Sequence, residues 1–209
     1  MFILIALVEA SALIIVLLLS LSVHEFAHAW VANLFGDPTA RVEGRMSLNP
    51  LKHWDPLGTT LLVVLILLNS FGLPVPVIGW GKPVPVDERN FENPVWHGFQ
   101  TAIAGPMSNL LFATILALVF RLFEPTGVIG DILTLAVYIN AFLMFFNLLP
   151  IPPLDGSRIL RLFLPEETYW SLASNPILFY VLFLVVVFFL ATPLQHYSAQ
   201  LSQFLLNGA

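Results

Sequence analysis

His24-Glu25-Phe26-Ala27-His28 is the stretch of this sequence best able to do chemistry, two imidazoles four positions apart with a carboxylate between them. On a helix, residues four apart differ by roughly 40° in direction and 6 Å in height, so both rings can grip one metal ion. Glu25 then lies roughly 60° from His28 around the axis, beside the ion rather than on it, where a general base for an activated water belongs. Two imidazoles do not complete a catalytic zinc site, which takes three protein ligands and keeps one position for water. The chain has no cysteine, so disulfides and thiolate ligands are excluded and the set must be closed by imidazole or carboxylate.

The acidic residues are few enough to audit. Glu43, Asp55, Asp87, Glu88 and Glu92 fall in polar loops, Glu124 and Asp131 flank a turn, and Glu166 and Glu167 begin an interfacial stretch. Asp155 differs. It closes the apolar run 147–156, in which Pro150, Pro152 and Pro153 break the helix. Irregular backbone at membrane depth is tolerated only where it is buried in protein or lines a wet cavity, and hydrolysis needs such a cavity. The expected metal ligands are therefore His24, His28 and Asp155, the expected ion is Zn2+, and the expected catalytic residue is Glu25. His53 is read as a solvated loop histidine, with ligation as its lesser alternative.

The elements that must position these residues are written in the composition. Of 209 residues 58% are hydrophobic and 10% charged, against roughly 25% charged in ordinary globular domains, and mean hydropathy is +0.88. This is the composition of an integral membrane protein. A net charge of −5 without any basic run excludes nucleic acid as a partner.

Apolar segments run over 2–23, 57–68, 99–120, 132–149 and 177–191. The first continues through the H-E-x-x-H motif to Phe35, where Gly36-Asp37-Pro38 stops it. No Lys or Arg precedes Arg41, so it does not read as a signal peptide. Residues 57–68 reach only about 18 Å, short of a hydrocarbon core of about 30 Å, and are expected to re-enter rather than cross.

Charge supports that choice. With re-entry, Arg41, Arg45, Lys52, Lys82, Arg89, Arg158 and Arg161 fall on one side and Arg121 alone on the other, whereas a full crossing splits them four to four. The positive-inside rule then makes the seven cytoplasmic and the N-terminus external, and it brings the end of the helix leading to Asp155 to the same depth as His24 and His28. The expected fold is an all-α polytopic membrane protein of about four transmembrane helices and a short re-entrant segment. A small membrane-associated β-hairpin is expected at 39–48, where residues alternate around Glu43-Gly44. Residues 195–206 are expected to form a surface helix. The whole of 1–209 reads as one domain, its core motifs lying between 24 and 156.

Ala102, Gly105 and Ser108 make a narrow helix face that another helix can approach closely, and Asn109 could donate across it. Taken together, His24 to His28, the run Ala104-Gly105-Pro106-Met107-Ser108-Asn109 and the run 147–156 resemble the site-2 protease family of intramembrane zinc metalloproteases. Gly79-Trp80-Gly81-Lys82-Pro83-Val84-Pro85-Val86 and His53-Trp54-Asp55-Pro56 are similar to a compact bacterial branch without PDZ or CBS domains.

The resemblance implies zinc on His24, His28 and Asp155, catalysis by Glu25, and contact between Asn147 and the substrate; Asn109 is the second candidate for substrate contact. It further implies an endopeptidase that cuts within or near the transmembrane helix of another membrane protein, the lipid bilayer and such substrates being its partners, in a bacterial cell membrane. Two other classes stay open. A metal transporter would use the same ligands as a transit site, though it would be expected to show paired repeats, and an idle scaffold would have no use for an uncoordinated base between two ligands.

Overall fold

Apolar side chains excluded from water must be covered by lipid or by one another, and the longest helices of this chain are covered by both. The computed structural model describes residues 2–208, leaving aside the side chains at 2, 176, 179, 180, 183 and 187. The α-helices in chain order are α1 (Phe2–Leu34), α2 (Thr39–Val42), α3 (Gly58–Ser70), α4 (Pro94–Phe123), α5 (Gly127–Asn147), α6 (Glu166–Ala173), α7 (Pro176–Val185) and α8 (Ala191–Asn207). At 1.5 Å per residue α1, α4 and α5 measure about 50, 45 and 32 Å, each enough to cross a core of about 30 Å. These three pack against one another, and α8 packs on α4 and α5. Small residues make the approach close: Ala113 and Ala117 of α4 meet Val137 of α5, and Leu205 and Leu206 of α8 close over them. Outward faces carry exposed Ile3, Leu4, Leu111, Leu118 and Ile129, a surface suited to lipid.

α3 and the chain after it double back, the path a re-entrant segment would take. Gly72, at φ +87°, turns the chain after Ser70, and the Asn69 amide donates to the Val75 carbonyl across the turn. The return leg runs extended beside α3, with Gly79 so close that a Cβ there would lie 2.4 Å from Leu62 Cβ and 2.7 Å from the Gly58 carbonyl. Lys82 N–H donates to the His53 carbonyl at 2.9 Å, so the loop leaves and returns at the same end of the bundle.

Of about four expected crossings, three helices among the described residues are long and apolar enough to span, while the fourth, over 177–191, lies partly outside the described side chains and is divided between α7 and a π-helical turn. Two further expectations need correction. Among the described residues there is no strand, and 39–48 is not a hairpin. Asp37 accepts from the N–H and hydroxyl of Thr39 and starts a single helical turn, Thr39–Val42. Gly44, at φ +65°, ends it, while Arg45 N–H folds back to the Ala40 carbonyl at 2.7 Å. Ala40 is buried with Ala29 and Val84, so the apparent alternation reflects a short helix anchored by one alanine. Nor is 195–206 a surface helix. α7 passes through a π-helical turn, Val186–Leu190, into α8, whose Leu194, Ser198 and Ser202 are buried against the bundle. Gly208 ends α8 beside the Arg121 guanidinium, so this last helical stretch finishes next to the end of α4.

Asp37 ties the end of α1 to the returning chain. Its buried carboxylate accepts from Asp87 N–H and from the Asn90 amide, both at 2.8 Å, besides the two donors of Thr39. Burial alone would raise its pKa; the donors of Thr39, Asn90 and Asp87 outweigh it and hold the carboxyl below the ordinary carboxylate range. A lowered native pKa means stability that is complete above the unfolded value and fades as pH falls through the folded one. Asp37→Ala should therefore cost on the order of 2 to 3 kcal/mol, since charged hydrogen bonds are lost and buried donors stranded. Thermal unfolding should show the wild type losing this margin on acidification while the variant, already without it, changes less.

Candidate metal centre and its cavity

α1 delivers His24, Glu25 and His28 from one face, all buried. Asp155 arrives from the other side. α5 stops at Asn147, the prolines at 150, 152 and 153 keep the next residues irregular, and a 3-10 helix begins at Asp155. Gly156 makes the sharp return possible, because a Cβ there would lie 2.2 Å from the Leu148 carbonyl oxygen and 2.6 Å from that of Leu149.

His24 Nε2 lies 3.0 Å and His28 Nε2 3.4 Å from Asp155 Oδ2, and the two Nε2 atoms are 3.0 Å apart. Ligands at about 2.05 Å from a tetrahedral zinc are about 3.3 Å from one another, so the triangle has the size of one face of a zinc tetrahedron. Each ring nitrogen on the far side is already engaged. His24 Nδ1–H donates to Asn109 Oδ1 and His28 Nδ1–H to the Thr101 carbonyl, both at 2.7 Å, which leaves each Nε2 with a lone pair. Asp155 Oδ2 is buried and accepts no hydrogen bond. Two imidazole nitrogens and a buried carboxylate oxygen at this spacing fit a divalent zinc ion by number, type and size.

Glu25 is turned to the neighbouring wall, where Oε2 accepts from Val84 N–H at 2.7 Å. Val84 belongs to the return leg after α3. Arg45, buried beside it, holds that leg by donating to the Lys82 and Pro83 carbonyls at 2.8 and 3.2 Å. A cavity of about 400 Å³ joins Glu25, His28 and Asp155 to Gly98, Thr101 and the backbone of 152–154. Its outer wall is ionic and aromatic. Glu88 bridges Arg158, at 2.6 Å, and Arg161, which also pairs with Glu166 at 2.8 Å. Both guanidinium groups lie 5.3 to 6.0 Å from the ring centroids of Tyr169 and Trp170, which fastens α6 over the cavity.

The structure thus brings His24, Glu25, His28 and Asp155 together and separates the rest. Asn109 is fully buried behind His24, and its amide is spent on His24, Asn140 and the Ser20 carbonyl, so it faces the bundle interior rather than the cavity. Asn147 stands in the last turn of α5, donates to the Leu143 carbonyl at 3.0 Å, and is not among the residues lining the cavity. His53 is buried rather than solvated, its Nε2 bonded to the Ser47 carbonyl at 2.7 Å and apart from the metal cluster.

The sequence assigns no role at the site to Val84, Arg45 or Asn140. An amide inside the apolar run 132–149 was a visible signal for Asn140. The roles of a backbone N–H at Val84 and a carbonyl at Thr101 leave no trace in residue type.

Residues 12–127 and 125–190 match the family model of peptidase family M50. The chain is 38% identical over 194 residues to YwhC of Bacillus subtilis, named for an inferred zinc metalloprotease activity, covering 88% of this chain and 82% of that protein. Two Rip2 proteins carry the same kind of name. That of Mycolicibacterium smegmatis is 34% identical over 183 residues and that of Mycobacterium tuberculosis H37Rv 36% over 181, each alignment covering 84% of this chain and 65% of the relative. No solved structure matches the chain significantly.

Gly105 supplies a direct check on this geometry. A Cβ at that position would lie 2.3 Å from His28 Nε2 and 2.7 Å from His24 Cε1, so Gly105→Ala must displace the imidazoles. Zinc retained by the purified chain under chelator competition should fall by on the order of tenfold or more. Retention equal to wild type would mean that the rings do not occupy these places.

Proposed function

Since the chain belongs to peptidase family M50, the site-2 protease family of zinc metalloproteases, we propose that it hydrolyses peptide bonds within or near the transmembrane helix of other membrane proteins. In this reading 1–209 acts as one protease domain, His24, His28 and Asp155 hold the zinc, and Glu25 is the general base. The observation that carries it is the convergence of three ligand atoms within 3.4 Å of one another, with the Glu25 carboxylate lining the same cavity.

Zinc, when bound, supplies a Lewis acid that polarises the scissile carbonyl and acidifies water. The remaining work falls to the chain. Asn109 and the Thr101 carbonyl orient the two rings so that each keeps Nε2 inward. Glu25 keeps one carboxylate oxygen on Val84 N–H and has the other to take a proton from the attacking water and return it to the leaving amide nitrogen. Helical carbonyls in a substrate are already hydrogen-bonded, so the target must unwind before it can enter. The cavity wall formed by the extended leg at Val84 and Val86 suits an unwound segment better than a helix. Among the described residues no strand stands beside the site, and this leg is the extended backbone next to Glu25.

The orientation proposed is an external N-terminus with the site toward the cytoplasm, in a bacterial membrane. Arg45, Lys82, Arg158 and Arg161 gather at the end where the re-entrant loop opens, and Arg121 stands at the far end of α4 beside Gly208. A transit site for metal would gain nothing from a carboxylate held uncoordinated in the wall, so a transporter draws no support from this arrangement.

Glu25→Gln should retain zinc and lose cleavage of a single-span substrate by roughly 10² to 10⁴ fold, the range of general acid–base catalysis. Asp155→Ala should lose zinc as well as activity. Zinc content and cleavage, measured on the same detergent-purified samples, check both; undiminished cleavage by Glu25→Gln would remove that residue from the mechanism.

A further inference from the structure

The two imidazoles are held from behind in physically different ways. His28 Nδ1–H donates to the Thr101 carbonyl, an atom that can only accept, so this ring must leave Nε2 free. His24 Nδ1–H donates to Asn109, whose amide can present either its oxygen or its NH2 to the ring. With the NH2 toward His24 the proton would move to Nε2, and that nitrogen could no longer ligate. Something must fix which end of Asn109 faces the histidine.

The neighbouring contacts supply it. Asn140 Nδ2 donates to the Ala136 carbonyl at 2.9 Å and to Ser20 Oγ at 2.8 Å. Because the Ala136 carbonyl only accepts, Asn140 must turn its NH2 that way and its Oδ1 toward Asn109. Asn109 Nδ2 then donates to Asn140 Oδ1 at 2.9 Å and to the Ser20 carbonyl at 3.3 Å, which leaves Asn109 Oδ1 for His24. Ser20, Asn109 and Asn140 are fully buried, so no water can substitute for any member. Packing alone does not call for two amides and a hydroxyl inside a lipid-embedded bundle, where apolar residues would fill the space without hydrogen-bond constraints.

We infer that Asn140, with Ser20, is a positioning residue for the metal site, setting through Asn109 the tautomer in which His24 can bind zinc. This rests on His24 being a zinc ligand. Asn140 acts one helix away and touches neither metal nor substrate.

The test compares zinc retention by the full chain in detergent across a graded chelator series, with thermal unfolding measured on the same samples. Wild type is measured first, and failure of the wild type to hold zinc would overturn the metal reading itself, and the inference with it. Asn140→Leu keeps the volume but removes the nearer of the two acceptors that orient Asn109, leaving only the Ser20 carbonyl at 3.3 Å, and should weaken zinc retention by on the order of tenfold. Asn140→Asp keeps an oxygen facing Asn109 and should stay within about threefold of wild type, although a buried acid lowers thermal stability more than leucine does. A merely structural role would give the opposite order, with zinc loss following stability.

A second variant serves if the acid does not fold. Asn109→Asp in the Asn140→Leu background puts at 109 a carboxylate that accepts from His24 with either oxygen, and should restore most of the lost retention. Wild-type affinity in Asn140→Leu, zinc loss that tracks melting temperature, or no rescue in the double variant would each overturn the inference.

Discussion

An imidazole can offer a lone pair to a metal only if its other nitrogen carries the proton, and where that other nitrogen is buried in protein no water is at hand to settle which one it is. Much of the structure answers this constraint. α4 supplies both partners from one helix, Asn109 for His24 and the Thr101 carbonyl for His28. Between those two positions sits Gly105, the only kind of residue that lets α4 lie against the rings. α5 backs Asn109 through Asn140 and then ends where its prolines send Asp155 across to complete the set. The long helices are thus placed by what two rings and a carboxylate require of their neighbours.

What the sequence made legible follows from how local each requirement is. The H-E-x-x-H spacing is satisfied within one turn of α1, and it places both histidines without reference to anything else. Asp155 could be found because an acidic residue after three prolines at the end of an apolar run has few alternative uses in a membrane. The doubling back of the chain after α3 could be expected from length and charge, and the close approach of Gly79 to Gly58 and Leu62 is how the chain achieves it.

The failures have the opposite character. Residues 39–48 alternate like a strand, yet Asp37 starts a helix there and Ala40 anchors it by burial against Val84, more than forty positions away. Residues 195–206 carry an apolar stripe that fits an interface as well as a bundle, and only the presence of Ala113, Ala117 and Val137 decides between them. Asn109 was visible as a polar residue on a packing face, but its direction was set by a second amide on another helix. Tertiary partners, not local propensity, fixed all three.

The return leg after α3 has one more property. Pro74, Pro76, Pro83 and Pro85 have no N–H, and the single donor between the last two, at Val84, is spent on Glu25. An extended backbone would ordinarily invite a neighbouring copy to zip onto its open edge, most of all among molecules crowded in a membrane. Here the donors needed for such a ladder are missing at every other position near both ends, so the leg can lie open without nucleating aggregates.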